Sequence, residues 1–252
     1  MIIRAQKFLK IDIKPLLKQN ILERINKCIR TRYAFCHIVS INPENVIIAQ
    51  HDEKFRYILS QSDIQIVDGV GIALGGSILG IEVGERVTGV DLMEMIVKNV
   101  EGEGLHILLL GGKPNVADNL AKCYQKKYSK ISFKGIEGIK DIKAPKIQEE
   151  NNIFSIVADY KPQIIFAAFG SPWQEKWFWA HRDKFKGIVC MGVGGGFDFA
   201  SGKVSRAPRW VRGIGMEWLF RLLKQPWRVK RQMRLFSYIL LLLKTKFGFS
   251  DK

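Results

Sequence analysis

Short apolar runs rich in β-branched residues alternate along most of the chain with segments long enough to form helices. Alternation of this kind is typical of a parallel sheet with helices on both faces. We therefore predict an α/β fold with a mostly parallel, Rossmann-like sheet. The six predicted strands are Phe35–Ile41, Ile64–Val67, His106–Leu110, Ile131–Gly135, Ile164–Phe169 and Ile188–Val193.

Prolines indicate where three helices begin. They occur in the pairs Asn42-Pro43, Lys113-Pro114 and Ser171-Pro172, each directly after a predicted strand. The first turn of a helix tolerates proline, because the amide hydrogen that proline lacks has no partner there within the helix. Ligands of open α/β sheets bind beyond the carboxyl ends of the strands, so we look for chemistry at these junctions.

The pattern changes after residue 209, where only helical spacing remains, interrupted at Gln225-Pro226. We predict a C-terminal helical appendage of two helices, so the chain divides into a core, residues 1–209, and a tail, residues 210–252. One side of the second helix is apolar, formed by Trp227, Met233, Leu235, Phe236, Ile239 and Leu243. Arg228, Arg231 and Arg234 recur at three-residue spacing, which makes the helix basic and amphipathic. Such a helix is typical of docking on a membrane surface, and packing of its apolar side on the core is the less favoured alternative.

The charge distribution supports this interpretation of the tail. The 252-residue chain has a formal net charge of +16, and from Lys203 onward thirteen basic residues face only Glu217 and Asp251. An excess of this size attracts phosphate-rich partners. The Trp and Phe residues of the tail gather on one helical side instead of alternating with the basic residues, which favours lipid over nucleic acid as the partner.

Composition excludes several other classes of protein. The hydrophobic content of 47% is enough to build one core. The four cysteines form no CxxC pair and have no histidine at zinc spacing, so neither a disulfide framework nor a metal site is predicted. Basic residues interrupt the N-terminal segment, unlike a signal peptide, and no apolar run reaches the roughly 20 residues that span a bilayer. We expect a cytoplasmic protein, peripheral at the inner face of the cell membrane.

A polar cluster is predicted where the first two strands end. Asp68 directly follows a buried-type strand, so we expect its carboxylate to project into the crevice as a candidate general base. Ser40 and Asn42 end the neighbouring strand and are expected to lie close to it. An Asp-Gly turn at Asp68 and helix capping by Asn42 are the structural alternatives, and capping can coexist with function.

Glycines and one glutamine mark the other strand ends. Gly111 and Gly112 lead into a helix start that suits an anion. The glycines of Gly192–Gly196 let backbone approach a ligand, and tight packing or a bulge is an equally favoured explanation of each of them. Gln174 could contact a base or a sugar, although an exposed residue at a helix start is the favoured interpretation of this position alone. The segment Gly69–Gly75 resembles a dinucleotide-binding turn, but the acidic residue expected about 20 positions later at the end of a second strand is missing.

Several specific strings occur together in one order along the chain. They are Asn42-Pro43-Glu44, Asp68-Gly69-Val70-Gly71, Glu85-Arg86-Val87-Thr88-Gly89-Val90-Asp91, Phe169-Gly170-Ser171-Pro172-Trp173-Gln174-Glu175 and Arg206-Ala207-Pro208, followed in the tail by Glu217–Leu222 and by Pro226 with Arg228 and Arg231. From about Ser40 to Arg234 the chain thereby resembles the TagA/WecG-type bacterial glycosyltransferases, glycosyltransferase family 26. These enzymes add N-acetylmannosamine or a related sugar to a polyprenyl-diphosphate-linked saccharide.

The resemblance implies an inverting, metal-independent transferase of cell-envelope polysaccharide or teichoic acid synthesis. Its donor is a UDP-sugar, its acceptor is a lipid-linked saccharide, and no further cofactor is expected. Asp68 matches the family's proposed base, and Ser40 stands where the family commonly has a threonine that orients substrate. Arg221, Arg228 and Arg231 match tail arginines that hold the diphosphate. The full set of substrate-binding candidates is Asn42, Arg86, Gly111, Gly112, Gln174, Asp198, Arg221, Arg228 and Arg231.

The composition agrees with transfer that needs no metal. Departure of UDP leaves negative charge on a diphosphate, which must be stabilised by a divalent metal or by fixed cations. The sequence has no Asp-x-Asp string, and arginines bind phosphate bidentately and stay charged, so an arginine set can replace the metal.

Two alternatives remain open at this point. The glycine turn after Asp68 supports an NAD(P)-dependent oxidoreductase, and the charge alone supports a non-catalytic binder of anionic lipid or nucleic acid. The sequence distinguishes neither the donor sugar nor the acceptor saccharide, and it leaves open whether the chain forms a homo-oligomer.

Overall fold

The computed structural model describes residues 5–202, 206–208, 210–211, 216–224 and 229–248, and the side chains of Arg221 and of residues 229–232 lie outside that description. Near the N-terminus, β1 (Gln6–Phe8) and β2 (Ile11–Ile13) form an antiparallel hairpin that the sequence pattern did not predict. The central sheet contains β3 (Cys36–Ile41), β4 (Ile64–Val67), β5 (His106–Gly111), β6 (Ser132–Ile136), β7 (Ile164–Ala168) and β8 (Val189–Gly192).

The central sheet is parallel and has the strand order β4-β3-β8-β7-β5-β6. All six predicted strands are confirmed, each with bounds within one residue of the prediction. The helices of the core are α1 (Lys18–Thr31), α2 (Pro43–His51), α3 (Glu53–Gln61), α4 (Val70–Leu79), α5 (Gly89–Asn99), α6 (Val116–Lys127), α7 (Ile147–Tyr160), α8 (Trp173–Ala180) and α9 (Gly196–Ala200). A short 3₁₀ helix spans Arg182–Phe185. The tail contributes α10 (Glu217–Lys224) and α11 (Val229–Phe247).

Two of the three proline-marked helix starts are where the sequence predicts them. α2 begins at Pro43 behind an Asn42 cap, and α8 begins directly after Pro172. α6 begins later, at Val116, because Asn115 still belongs to the preceding turn with a left-handed φ of 62°.

Both faces of the sheet are covered, as the prediction of helices on two sides requires. Because successive residues of a strand point to opposite faces, Ile38 and Ile66 pack with helices α1, α5 and α6 on one face. Val39 and Val67 pack on the other face, beside α2, α3 and α4. On that second face, α7 and α8 cover the strands at the other end of the sheet. The α/β fold with helices on both faces is therefore confirmed.

The tail helix α11 packs on the core through one side. Its Tyr238 is 1% exposed and donates a hydrogen bond of 2.9 Å to the backbone carbonyl of Gly71 in α4. Leu242, also buried, belongs to the same cluster of apolar side chains as Phe8. This close approach needs glycine at Gly75, where an added methyl group would lie 2.3 Å from the Tyr238 hydroxyl. One side of α11 therefore packs on the core, which was the less favoured alternative in the sequence prediction for this helix.

A second apolar side of α11 points away from the core. We call it the outer stripe, and it consists of Met233, Phe236, Ile239, Leu240, Leu243 and Phe247, all exposed. Since each residue turns a helix by about 100°, these six positions centre opposite Tyr238. The sequence prediction of a single apolar side was therefore wrong: Leu235 belongs to the half-buried inner side. Within the described residues, no helix is long and apolar enough to cross a bilayer.

Candidate active site

The crevice predicted from the sequence falls at the carboxyl end of β3, which extends beyond its pairing with β8. The ladder between β3 and β8 ends at the pair Ile38 and Met191, whereas β3 stays paired with β4 as far as Ile41 and Val67. The last residues of β3, Val39 to Ile41, therefore pair with β4 and have no ladder partner in β8. Ser40, on this stretch, points to the sheet face that carries α5, because it alternates with Ile41.

Ser40 and Asp68 converge on the first residue of α5. A methyl group placed on Gly89 would lie 3.7 Å from Ser40 Oγ and 3.8 Å from Asp68 Oδ2, so both oxygens face the same small volume. Ser40 is 8% exposed, and Asp68 is half-buried with its amide bonded to the Ile41 carbonyl at 2.9 Å. The structure thus brings together the hydroxyl and the carboxylate that the sequence placed at neighbouring strand ends.

Asn42 serves the local backbone beside this pair. Its side-chain oxygen accepts a hydrogen bond of 2.8 Å from the amide of Asn45, which caps α2. Asn45 in turn donates from Nδ2 to the backbone carbonyl of Ser40 at 2.8 Å. The capping role considered from the sequence is therefore present, and it fixes the backbone that carries Ser40.

Arg86 lies in the segment before α5. This segment extends the sheet beside β4, with a parallel bridge between Val67 and Arg86 and a bond of 2.9 Å from the Val87 amide to the Val67 carbonyl. Arg86 borders a cavity of about 350 Å³ on the outer side of α5, lined by Lys18, Arg86, Val87, Asp91, Glu94, Met95 and Lys98. Arg86 and Asp68 consequently lie on adjoining strand ends.

A second group of candidates lies farther along the sheet. Gly111 ends β5 and Gly112 follows it, with φ values of 90° and 88°. A methyl group on Gly112 would lie 3.5 Å from the Phe197 ring of α9. Asp198, the next residue of α9, is half-exposed. Since β3 and β5 are three strand positions apart, this group is separated from Ser40 by about 14 Å at the usual strand spacing. The structure therefore places Gly111, Gly112 and Asp198 apart from the pair of Ser40 and Asp68.

Gln174 lies between the two groups, and it is buried. Its side chain is 3% exposed, and Oε1 accepts hydrogen bonds from the amides of Gly170 at 3.0 Å and Gly194 at 3.2 Å. The favoured interpretation of Gln174 as an exposed residue at a helix start was wrong, because the glycine turns after β7 and β8 fold over it. The amide joins those two turns and so sets their separation.

Glu175 fixes the orientation of the Gln174 amide. The carboxylate oxygen Oε1 of Glu175 accepts a bond of 2.8 Å from Gln174 Nε2, which leaves Gln174 Oε1 to face the two glycine amides. Glu175 is 1% exposed, and its burial raises the pKa of this carboxyl above the usual value. In the sequence Glu175 stands out only as part of a string, since nothing local distinguishes a buried carboxyl at a helix start from an exposed one.

A polar cluster at the start of α5 was not predicted from the sequence. Thr88 caps the helix by accepting from the Asp91 amide at 3.2 Å, and its hydroxyl donates to Asp91 Oδ2 at 2.6 Å. Arg206 donates to both residues from the segment that leads into the tail. The spacing of Thr88 and Asp91 is that of a capping motif, which was the available indication, whereas the contact with Arg206 spans 115 residues.

The tail arginines stay predictions. Arg221 belongs to α10 and Arg231 to α11, but their side chains, like the whole of Arg228, lie outside the described residues. The segment Gly69–Gly75, by contrast, is fully described: only Gly69, with φ of 105°, forms a turn, while Gly71 and Gly75 pack within α4 against Pro43 and Tyr238. Most of that glycine pattern serves helix packing.

The fold and the polar groups at its strand ends are those of an α/β enzyme. A family model described as "Glycosyl transferase WecG/TagA/CpsF family" matches residues 6–252. The chain therefore belongs to the WecG/TagA/CpsF family and is a glycosyltransferase. The resemblance found from the sequence is confirmed, and the oxidoreductase and the non-catalytic binder are set aside.

Curated proteins of one name are similar to this chain over most of their length. An N-acetylglucosaminyldiphosphoundecaprenol N-acetyl-beta-D-mannosaminyltransferase of Bacillus subtilis (strain 168) is 30% identical over 208 residues, 82% of this chain and 78% of that protein. Proteins of the same name from Staphylococcus aureus are 29% identical over 194 residues in strain MW2, covering 77% and 74%, and 30% identical over 186 residues in strain NCTC 8325 / PS 47, covering 74% and 71%.

Proposed function

We propose that this glycosyltransferase moves N-acetylmannosamine from a UDP-sugar to N-acetylglucosaminyl-diphosphate-polyprenol, with inversion and without a metal, at an anionic membrane surface. The names of its relatives support the sugar and the lipid-linked acceptor. The single observation that carries the chemistry is the convergence of Asp68 Oδ2 and Ser40 Oγ on Gly89, beyond the carboxyl ends of β3 and β4. A carboxylate and a hydroxyl there can receive and orient an acceptor hydroxyl.

Asp68 acts as the general base in this proposal. As the acceptor oxygen attacks the anomeric carbon from the face opposite UDP, its proton passes to Asp68, a new carbon–oxygen bond forms, and the bond to the diphosphate breaks. One displacement of this kind inverts the configuration at the anomeric carbon. Ser40 lies close enough to orient the attacking hydroxyl or a neighbouring group on the sugar.

The tail is proposed to supply the cations that stabilise the leaving diphosphate. Two contacts support this placement: Arg234 of α11 pairs with Glu44 in the first turn of α2, and Tyr238 bonds Gly71 in the first turn of α4. Both first turns follow the ends of strands that carry Ser40 and Asp68. The N-terminal part of α11 therefore packs beside the first turn of α2, and in this proposal Arg231 extends from there to the diphosphate. Guanidinium groups there can bind the diphosphate bidentately and need no metal.

The outer stripe is proposed to lie in an anionic bilayer. Exposed apolar side chains of this extent usually mark an interaction site, and Leu74 and Ile78 of α4, which packs beside α11, are exposed as well. Lys244 and Lys246 lie on the exposed part of the same helix and favour an anionic partner. A bilayer also holds the polyprenyl chain of the proposed acceptor, so docking there brings enzyme and acceptor together.

A transfer assay tests the proposed function. Purified protein is incubated with UDP-N-acetylmannosamine and a short-chain N-acetylglucosaminyl diphosphate lipid, with and without excess EDTA, and the product is identified by mass and by anomeric configuration. We expect an inverted product at equal rates in both arms. Transfer only from another UDP-sugar would refute the proposed donor. A loss of transfer in EDTA that magnesium restores would refute the proposal that arginines take the place of a metal.

Gly89→Ala is a second test, aimed at the geometry of the site. The added methyl group would meet Ser40, Asp68 and Met191 at ordinary contact distances of 3.7 to 3.8 Å, and alanine favours a helix over glycine, so Tm should not fall. The methyl group would occupy the space of the acceptor hydroxyl, so kcat/KM should fall roughly 10- to 100-fold. Gly102→Ala, where nothing lies within 4 Å, is the matched control. Equal activity of the two variants would place the reaction elsewhere.

A further inference from the structure

Arg206 connects the start of the tail to the start of α5. Its guanidinium donates from Nη1 to Asp91 Oδ1 at 2.6 Å and from Nη2 to Thr88 Oγ1 at 3.1 Å. From Nε it donates to Glu217 Oε1, the first residue of α10, at 3.3 Å. One side chain thus uses three of its nitrogens to hold two segments that are far apart in the sequence.

The surroundings of Arg206 indicate a residue that holds structure and does not bind phosphate. The side chain is 18% exposed, and the carboxylates of Asp91 and Glu217 both contact its guanidinium. Burial alone lowers the pKa of Arg206, but the two carboxylates more than offset it and raise that pKa. The two carboxylates offset the positive charge of this guanidinium, so it attracts a substrate diphosphate only weakly.

The turn that Arg206 holds forms one side of the candidate active site. Thr88 and Asp91 cap α5 and flank Gly89, whose α-carbon faces Ser40 Oγ and Asp68 Oδ2. A shift of this turn changes the space between those two oxygens directly. Misplacement by about 1 Å can cost roughly 100-fold in rate even when the altered residue lies outside the chemistry.

We infer that Arg206 is a positioning residue that holds the first turn of α5 against Ser40 and Asp68 and makes this geometry depend on the docked start of α10. Its effect on rate rests on the proposed function of Asp68. Its effect on the α5 turn does not, because that turn can be observed without any reaction.

Amide hydrogen exchange tests the positioning directly. In Arg206→Met, peptides covering residues 86–95 should exchange at least about tenfold faster at the Asp91 and Leu92 amides, because the turn loses hydrogen bonds to a charged group. Arg56→Met is the matched control, because the Arg56 side chain is 23% exposed and pairs with the carboxylate of Glu53, as Arg206 pairs with carboxylates. Arg56 differs in one further bond, which it donates to the backbone carbonyl of Ala49 at 3.0 Å. The control should leave the α5 peptides unchanged.

Kinetics on the same proteins test the consequence. With UDP-N-acetylmannosamine and the short-chain acceptor, Arg206→Met should lower kcat roughly 10- to 100-fold with little change in the donor KM. Arg206→Lys keeps the positive charge but loses the forked guanidinium, so its kcat should lie between those of Arg206→Met and the wild type. Arg56→Met should lose Tm to a similar extent and keep kcat. If Arg206→Met does not fold, Arg206→Lys takes its place in both the exchange and the kinetic measurements.

The outcomes separate the two proposals. Unchanged exchange at the α5 amides would overturn the role of Arg206, as would an unchanged kcat despite faster exchange. A parallel loss of Tm and activity in the Arg206 and Arg56 variants would mean that Arg206 only stabilises the fold. Wild-type protein that transfers no N-acetylmannosamine would refute the proposed function, and the exchange result would still decide whether Arg206 holds the turn.

Discussion

Replacing Asp68 with asparagine is expected to lower kcat by roughly 100- to 10,000-fold, the usual range for loss of a general base. The amide keeps the shape of the side chain but cannot take the acceptor's proton. The donor affinity should stay nearly unchanged, because the carboxylate faces the space between Ser40 and Gly89 that is proposed for the acceptor hydroxyl. The rate of transfer at saturating acceptor and the dissociation constant of UDP, measured by calorimetry, check the two parts separately.

Asp63→Asn is the matched control for this substitution. Asp63 precedes the same strand, β4, at its other end and accepts a bond of 2.8 Å from the His37 amide, so its loss perturbs the strand without reaching the crevice. We expect Asp63→Asn to lower Tm and to retain kcat. Near-normal turnover of Asp68→Asn would show that another group is the base, and equal losses in both variants would indicate damage to the strand.

Membrane binding should depend on the outer stripe with an effect of similar size. Changing Phe236, Ile239 and Leu243 to serine is expected to weaken partition onto anionic vesicles at least about 100-fold, since full burial of each side chain is worth roughly 1.5–3 kcal/mol. The three residues are 61%, 45% and 44% exposed, so the fold should tolerate the change. Turnover of a short-chain, soluble acceptor should persist. Vesicle sedimentation and the soluble assay measure the two properties.

Three exposed apolar residues outside the tail provide the control. Tyr33, Tyr57 and Ile147 are 92%, 56% and 76% exposed. Their replacement by serine removes a comparable area of exposed apolar surface, outside the tail. Vesicle binding should survive this change if the outer stripe is the docking surface. Equal loss in both triple variants would show that general surface hydrophobicity drives binding. Loss of soluble turnover in the stripe variant would show that α11 has moved and that the stripe contributes to the active site.

The two sides of α11 also decide how the tail should be tested. Tyr238 and Leu242 fill the same cluster as Phe8 and Val46, so deletion of α11 would expose core residues as well as remove cations. Losing such buried side chains typically costs several kcal/mol of stability. Point changes on the outer stripe avoid this loss, because they leave the inner contacts in place.

The sequence by itself determined the fold class, the six central strands and the family, because each depends on local information. Strand and helix periods are properties of neighbouring residues, and Asp68, Ser40 and Asn42 could be placed at strand ends because parallel strands bring their carboxyl ends to one edge. The basic, partly apolar tail was readable for the same reason.

Only the tertiary structure decided which of these residues are in contact, which are buried, and which side of α11 faces the core. Gln174 is buried because two glycine turns from separate strands close over it, and α11 divides its apolar residues between core and surface because Gly75 admits Tyr238. Arg206 meets Asp91 across 115 residues and Thr88 across 118. Contacts at such separations depend on how whole elements pack, and no local pattern of side chains encodes them.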